Sequence, residues 1–166
     1  FIEEFPKLDL VIVSVGGGGL ISGVASSIKL INSNCQVVGV EPLGANSMYT
    51  SFKKGKPIQN ANTDTLVDSL APPMTLPFSF SVCKKFVDKI VLVSDDEICA
   101  SMVILQEEAK LAIEPAAAAC LAAILGPLKE MVQGRNVGLV MCGANIDSQS
   151  YSNLLRQGRD YKINNQ

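Results

Sequence analysis

Short apolar runs alternate with helical patterns along this chain. The run Leu8–Ser14 is rich in β-branched residues and predicts a buried strand. It ends at four consecutive glycines, Gly16–Gly19, and an apolar helical pattern follows from Leu20 to about Ile31. The next strand is predicted over Gln36–Glu41. A strand, a glycine turn, a helix and a second strand within about 34 residues predict a right-handed βαβ unit with parallel strands.

The same alternation continues through the rest of the chain. The predicted elements are a short helix from about Ala45 to Lys53, a helix Phe78–Phe86, a strand Lys89–Ser94, a helix from Asp95 to about Leu111, a helix from Pro115 to about Leu125, a strand Asn136–Cys142 and a helix from Ser148 to about Leu155. Polar loops are expected over residues 55–65 and 72–77, and the tail 164–166 is expected to fray. We therefore predict an α/β fold of three layers, α/β/α, around a mostly parallel twisted sheet.

Composition limits the classes of protein that this chain can represent. Its 166 residues suit one domain or one half of a larger domain. Hydrophobic residues make up 48% and charged residues 18%, which excludes a disordered tail and predicts a substantial core. The apolar runs stop well before about 18 residues, so no transmembrane helix is predicted. The net charge of −2 offers no basic excess, and we expect no nucleic-acid and no membrane partner.

The chain start, the cysteines and the missing histidine narrow the chemistry further. The first residue is Phe1 and no signal-peptide pattern precedes the first apolar run, so we expect a fragment. The five cysteines form neither a CxxC pair nor a disulfide framework, which favours a reducing cytoplasm. Because there is no histidine, Ser-His-Asp and Cys-His hydrolysis and most transition-metal sites are excluded. Acid–base chemistry would have to come from other side chains or from a cofactor.

The glycine run is the strongest local sign of a binding site. Consecutive glycines leave backbone N–H groups uncovered, and the helix that follows adds a positive N-terminal end, so the turn suits a phosphate. No Lys-Ser/Thr pair follows, which argues against an ATPase P-loop. A dinucleotide fingerprint would need a glycine at position 21, which is Ile21. The alternative interpretation is a tight turn that binds nothing.

Two other motifs could face the same ligand. Cys142 ends the last predicted strand, and the carboxyl ends of parallel strands share one edge of a sheet with the glycine loop. Glu114 precedes Pro115 at the start of a helix. On their own, the cysteine could be a small core residue and the Glu-Pro pair could merely begin the helix.

The order of these motifs resembles the fold-type II pyridoxal-phosphate enzymes (the tryptophan synthase beta-like superfamily), and in particular the serine/threonine dehydratase and serine racemase branch. The resemblance covers nearly the whole chain, through VGGGGL, VEP, VDSLAPP, IEPAAA and CGAN. It implies pyridoxal 5'-phosphate as the cofactor. It also implies that the phosphate is held by Gly16, Gly17, Gly18, Gly19 and the Leu20 amide, that Cys142 faces the pyridine nitrogen and that Glu114 lies beside the ring.

The chain departs from the family pattern at two places. Ser69 follows Asp68 where the family usually has a glycine lining the substrate cavity. Some members bind a divalent cation with residues matching Glu41 and the Ala45 carbonyl, but Ser47 stands where a second carboxylate would be wanted. We therefore predict no metal site.

The catalytic lysine of the family is the largest missing part. It forms the Schiff base and lies in an N-terminal half, within a Ser-x-Lys-x-Arg-like segment that none of the eleven lysines here matches. We expect no catalytic residue in this chain and place the Schiff-base lysine upstream of Phe1. Residues 1–166 would then be the C-terminal portion of the catalytic fold, its large cofactor-binding domain, and inactive alone.

The resemblance implies a β-elimination that converts L-threonine or L-serine to a 2-oxo acid and ammonia. A neutral thiol opposite the pyridine nitrogen favours this lyase chemistry over transamination, because it cannot keep that nitrogen protonated. An amino-acid racemase of the same family and a non-catalytic α/β ligand-binding module remain alternatives. The expected partner is a small amino-acid substrate, and the full-length protein is expected to be a cytoplasmic homodimer.

Overall fold

One parallel sheet organises the molecule, for which a computed structural model describes residues 2–59 and 62–164, with side chains up to residue 161. Its strands are β1 (Leu10–Ser14), β2 (Gln36–Pro42), β3 (Lys89–Val93) and β4 (Val137–Val140). They lie in the order β3-β2-β1-β4, and every neighbouring pair is parallel. The predicted parallel pairing of the first two strands is confirmed. Parallel strands place all four carboxyl ends at one edge.

Helices cover both faces of this sheet, so the predicted three-layer α/β/α fold is confirmed. The helices are α1 (Gly19–Ile31), α2 (Ser47–Lys54), α3 (Pro77–Phe86), α4 (Asp95–Glu107), α5 (Pro115–Leu125) and α6 (Ser148–Asn164), and a short 3-10 turn spans Asp68–Leu70. One core lies between the sheet, α1 and α3, and the other lies between the sheet, α4, α5 and α6. No helix in the described part of the chain is both long and apolar enough to cross a membrane.

Strand β1 is apolar throughout because it contributes to both cores. Leu10 and Ile12 belong to the core on the side of α4 and α5, whereas Val11 and Val13 belong to the core on the side of α1 and α3. All of them are fully buried. The period-2 geometry of a strand sends alternate side chains to opposite faces, so a central parallel strand needs a continuous apolar run.

The alanine-rich helix α5 lies close against the sheet. Ala117 and Ala119 are fully buried, and the Cys120 thiol donates to the Ile12 carbonyl at 3.5 Å. Small side chains permit this close approach. As a result the N-terminus of α5, which follows Glu114, reaches the sheet edge where β4 ends.

Two predicted elements are shorter in the structure. The helix predicted to reach Leu111 ends at Glu107 because Lys110 adopts a left-handed backbone with φ 58°, and the Leu111 amide turns back to the Leu105 carbonyl at 3.0 Å. The strand predicted over Asn136–Cys142 is confined to β4, because beyond Val140 the backbone leaves the ladder with β1.

The last helix is longer than predicted. It continues past Leu155 to Asn164 because its second half packs on α4. Gly158 lies directly against the Cys99 backbone, where a side chain would clash, and Arg159 pairs with Glu107 at 3.0 Å. The predicted fraying is wrong for Asn164, while positions 165 and 166 lie outside the described residues.

Candidate functional site

All of the predicted cofactor-binding residues lie around one pocket at the carboxyl edge of the sheet. The pocket has a volume of about 210 Å³. It is lined by Ser14, Gly16, Gly17, Gly18, Gly19, Leu20, Ile21, Ser69, Leu70, Glu114, Ala116 and Cys142. The fold thus brings together three motifs that are far apart in the sequence, which is the arrangement that their predicted roles require.

Two of the loop glycines are required by close packing. Gly18 has φ 85°, and a Cβ built there would lie 2.8 Å from the Met48 methyl group. A Cβ on Gly16 would lie 2.6 Å from the Ser69 carbonyl oxygen. Larger residues at these positions would displace α2 or the 3-10 turn from the loop.

The other two glycines face open space. Gly17 and Gly19 are exposed, and a Cβ at either position would meet no described heavy atom within 4 Å. The first backbone N–H of α1 with an internal acceptor is that of Ser22, which donates to the Gly18 carbonyl at 3.0 Å. Among the described residues, none accepts a hydrogen bond from the N–H groups of residues 16–21. The open space and the unpaired amides at a helix N-terminus suit an anion such as a phosphate.

Glu114 connects the remaining motifs. Its carboxylate accepts hydrogen bonds from the Asn145 amide at 3.1 Å and from the Ser69 hydroxyl at 3.4 Å. Its own amide donates to the Gly143 carbonyl at 3.2 Å, and Gly143 has φ 124° with no room for a side chain beside the carboxylate. The side chain of Glu114 does not cap α5. Its carboxylate is instead hydrogen-bonded to Asn145 and Ser69, so Glu114 does more than begin the helix with Pro115.

Cys142 is exposed at the pocket, so its alternative interpretation as a core residue is wrong. The other four cysteines are buried. Burial raises the pKa of the Cys120 thiol to about 12, and that thiol is directed at backbone carbonyls within the core. Only Cys142, among the described cysteines, is therefore placed to meet a ligand.

Some lining residues were missed by the sequence analysis. Ser14 is the last residue of β1 and Ala116 lies in the first turn of α5, and both line the pocket. Their positions next to the predicted motifs could have indicated them. The contact between Ser69 and Glu114 joins residues 45 positions apart, and nothing local in the sequence predicts it.

The turn after β2 is built differently from the glycine loop. Glu41 is fully buried and accepts hydrogen bonds from the Met48 amide at 2.9 Å and the Tyr49 amide at 2.7 Å. Burial raises the pKa of this carboxyl from 4.5 to about 7, against the opposing effect of these two hydrogen bonds. Within residues 2–59 and 62–164, no group of three or more acidic or cysteine side chains could hold a metal ion. In this chain Glu41 caps α2.

A second pocket adjoins the first. It has a volume of about 530 Å³ and shares Ser69 and Glu114 with the glycine-lined pocket. The rest of its lining comes from Leu66, Asp68, Pro115, Asn145, Ile146, Asp147, Ser150, Asn153 and Leu154. The hydrogen-bonded pair Ser69–Glu114 therefore forms the boundary between the two pockets.

Comparison with known proteins adds independent findings. The family described as "Pyridoxal-phosphate dependent enzyme" matches residues 1–143. Phenylserine dehydratase from Ralstonia pickettii is 43% identical over 158 residues, which are 95% of this chain and 48% of that enzyme. L-threonine ammonia-lyase from Thermotoga maritima is 36% identical over 157 residues, which are 95% of this chain and 39% of that enzyme. The chain thus spans about half, or less, of the length of the curated relatives it matches.

A solved structure has the same fold. Maize serine racemase superposes with a TM-score of 0.85 at 32% sequence identity, over 94% of this chain and 50% of that chain. The superposition thus covers nearly the whole of this chain and about half of that one.

Proposed function

The chain belongs to the pyridoxal-phosphate dependent enzyme family, as its motifs predict, and we propose that residues 1–166 are the C-terminal, cofactor-binding portion of a β-hydroxy amino acid ammonia-lyase. L-threonine would give 2-oxobutanoate and ammonia, and L-serine would give pyruvate and ammonia. The water lost across Cα and Cβ is taken up again by hydrolysis, so the atoms balance. The observation that carries the proposal is the convergence of the glycine loop, Glu114 and Cys142 on one pocket.

The glycine loop would bind the phosphate of the cofactor. The N–H groups of Gly16–Gly19 and of Leu20 supply donors without side chains in front of them, and the N-terminus of α1 favours negative charge. Open space in front of Gly17 and Gly19 leaves room for an oxyanion. The pocket has a volume of about 210 Å³. Pockets that hold a whole small-molecule ligand have volumes of roughly 300 Å³ or more, so the ligand would extend beyond this pocket.

Cys142 would face the ring nitrogen at the other end of the pocket. When bound, pyridoxal phosphate supplies an electron sink for negative charge at the substrate Cα. A thiol is a weak neutral donor and does not hold a proton on that nitrogen as a carboxylate would. This role of Cys142 favours rapid loss of the β-hydroxyl over reactions that require the charge at Cα to persist.

Glu114 would be held beside the ring by its neighbours. Hydrogen bonds from Asn145 and Ser69 fix both carboxylate oxygens, and the absent side chain of Gly143 lets the carboxylate approach the backbone. A carboxylate fixed in this way does not need to reorganise when a ligand enters.

The covalent cofactor lysine would come from a part of the full-length protein outside these residues. No lysine whose side chain the structure describes lines the glycine-lined pocket. Lys29 pairs with Asp88 at 2.8 Å, and Lys53 lies over the Tyr49 ring at 4.4 Å. Borohydride reduction of the cofactor-loaded protein followed by peptide mass spectrometry tests this assignment. Labelling of a lysine among residues 1–166 would contradict it.

The full-length protein tests the function itself. We expect the full-length protein to show cofactor absorbance in the visible region and to release 2-oxo acid and ammonia from threonine and serine. Gly17→Asp should lose both the absorbance and the release of products. Light scattering tests the predicted dimer. Absence of any 2-oxo acid and of any lysine label would favour a non-catalytic binding module.

A serine racemase is the second candidate, favoured by the likeness to the maize enzyme. Racemisation needs a second base on the opposite face of the substrate, again from outside these residues. Chiral analysis of recovered serine, alongside 2-oxo acid release, separates the two activities. D-serine formed faster than pyruvate would favour the racemase.

A further inference from the structure

The second pocket combines an apolar wall with a negatively charged rim. Its apolar part comes from Leu66, Pro115, Ile146 and Leu154, all at least partly buried. It touches the glycine-lined pocket only through the Ser69–Glu114 boundary. A ligand in the first pocket that extended past this boundary would enter the second.

Three carboxylates surround this second pocket. They belong to Asp68, Glu114 and Asp147, and no lysine or arginine in the described part of the chain is among the lining residues. Asp147 accepts hydrogen bonds from the Gln149 and Ser150 amides, both at 2.9 Å, at the start of α6. Hydrogen bonds from Ser150 keep the pKa of Asp147 below its ordinary value, so Asp147 is ionised at neutral pH. The rim is therefore negative under cellular conditions.

We infer that this second pocket receives the β-substituent of the amino-acid substrate and selects uncharged alkyl or aryl groups over anionic ones. Asp68 and Asp147 would be the residues that set this specificity. The inference rests on the proposed function. They line only the second pocket and take no part in the predicted cofactor contacts.

The volume of the second pocket and the charge of its rim together give the physical reason for this selectivity. A volume of about 530 Å³ has room for a methyl or phenyl group, and the apolar wall gains from burying either. An anionic substituent would lose water and meet three like charges with no cation among the described lining residues. Specificity of this kind comes from repulsion of the wrong ligand rather than from attraction of the right one.

Equilibrium binding of a matched pair of amino acids tests the inference. L-asparagine and L-aspartate have nearly the same shape, differ by one charge and carry no β-hydroxyl to eliminate. We expect the cofactor-loaded full-length protein to bind aspartate at least about tenfold more weakly than asparagine by calorimetry, about 1.4 kcal/mol. Raising the salt concentration from 50 mM to 1 M should reduce this ratio, because the charges are near the surface.

Variants locate the effect. Asp68→Asn and Asp147→Asn should each tighten aspartate binding about threefold with little change for asparagine, and the double variant should nearly abolish the ratio. Asparagine is a good N-cap, so Asp147→Asn should leave α6 intact. Asp160→Asn removes the same charge from an exposed position further along α6 and should leave the ratio unchanged.

Four results would overturn the inference, and three of them concern the affinity ratio. These are equal affinity for both amino acids, an unchanged ratio in the double variant, and the same change in Asp160→Asn. The absence of binding by either amino acid would also overturn it. Release of 2-oxo acid from threonine is measured separately on the same preparation, so failure of the specificity claim and failure of the proposed function are distinguished.

Discussion

Two helices begin at the same edge of the sheet, after neighbouring strands, and their N-termini are completed in different ways. Helix α1 follows β1 through four glycines, and the amides of residues 16–21 have no acceptor in the described part of the chain. Helix α2 follows β2, and the buried carboxylate of Glu41 accepts hydrogen bonds from two amides of its first turn. One N-terminus is open and the other is closed by the chain itself.

This difference shows what makes a helix N-terminus available to a ligand. Both ends carry unpaired donors and a partial positive charge, so both favour an anion. At α2 the sequence supplies a buried carboxyl group that accepts from these amides, whereas at α1 it supplies glycines and leaves the space free. The closed end also supports the open one, because Gly18 packs against Met48, the residue whose amide Glu41 holds.

The largest expected effect comes from giving the open N-terminus its own anion. Gly17→Asp places a carboxylate where the phosphate is proposed to bind, and like-charge repulsion should weaken pyridoxal-phosphate binding about a thousandfold, about 4 kcal/mol. The fold should tolerate the change, because no described heavy atom lies within 4 Å of the added Cβ. Equilibrium dialysis measures the affinity, and thermal unfolding measures the stability.

Gly23→Asp is the matched control for this variant. Gly23 is also exposed, lies in α1 and has open space in front of its Cα. The Gly23→Asp variant should bind the cofactor as tightly as the unaltered protein does. Equal affinity in both variants would show that the glycine loop is not the phosphate site.

The next largest effect is expected at the N-terminus of α2, which Glu41 closes. The pKa of Glu41 rises from 4.5 to about 7 on folding, so its contribution to stability is complete below about pH 4.5 and is lost as the pH rises through 7. Glu41→Gln does not titrate. Between pH 5 and pH 8 the unaltered protein should therefore lose about 3 kcal/mol of unfolding free energy relative to the variant.

Urea unfolding at a series of pH values measures this difference. Parallel pH profiles for the two proteins would show that Glu41 ionises as freely in the folded state as in the unfolded state. The effect of burial on Glu41 would then not exceed that of its two hydrogen bonds, contrary to the pKa given above.

A smaller effect is expected at the far end of the open pocket. Cys142→Ser should keep activity within about tenfold, about 1.4 kcal/mol, because a hydroxyl makes the same neutral hydrogen bond. Cys142→Asp should hold a proton on the ring nitrogen and shift the visible spectrum of the cofactor. An unchanged spectrum in the Asp variant would place Cys142 away from the ring.

The smallest effect is expected at the boundary between the pockets. Ser69→Gly removes one of the two hydrogen bonds to the Glu114 carboxylate, at 3.4 Å, and should lower kcat/KM for threonine about threefold. Ser69→Ala removes the same hydroxyl without the backbone freedom of glycine. Different activities in the two variants would assign the effect to the backbone instead.

Local patterns predicted the open N-terminus well and long-range contacts poorly. The four glycines between an apolar run and a helical pattern placed β1, the loop and α1 within a few residues of their observed bounds. The family order of motifs then brought Glu114 and Cys142 to the same edge. These features depend on the parallel sheet, which follows from the alternation of strands and helices.

The features that were missed depend on tertiary packing. The second half of α6 is polar and has little helical signal of its own, and its contact with α4 through Gly158 cannot be found from local pattern. The use of Glu41 as a cap depends on where the turn after β2 places the first amides of α2. The Ser69–Glu114 pair joins elements whose distance only the fold sets.

The central claim is that the amides of the glycine loop bind the phosphate of the cofactor. Amide NMR of this chain during titration with pyridoxal phosphate, and separately with pyridoxal, tests it most directly. Pyridoxal phosphate should shift the amides of residues 16–20 strongly, pyridoxal should leave them nearly unchanged, and Gly17→Asp should abolish the shifts. Equal shifts with both compounds, or shifts that begin elsewhere and spare the loop, would contradict the account.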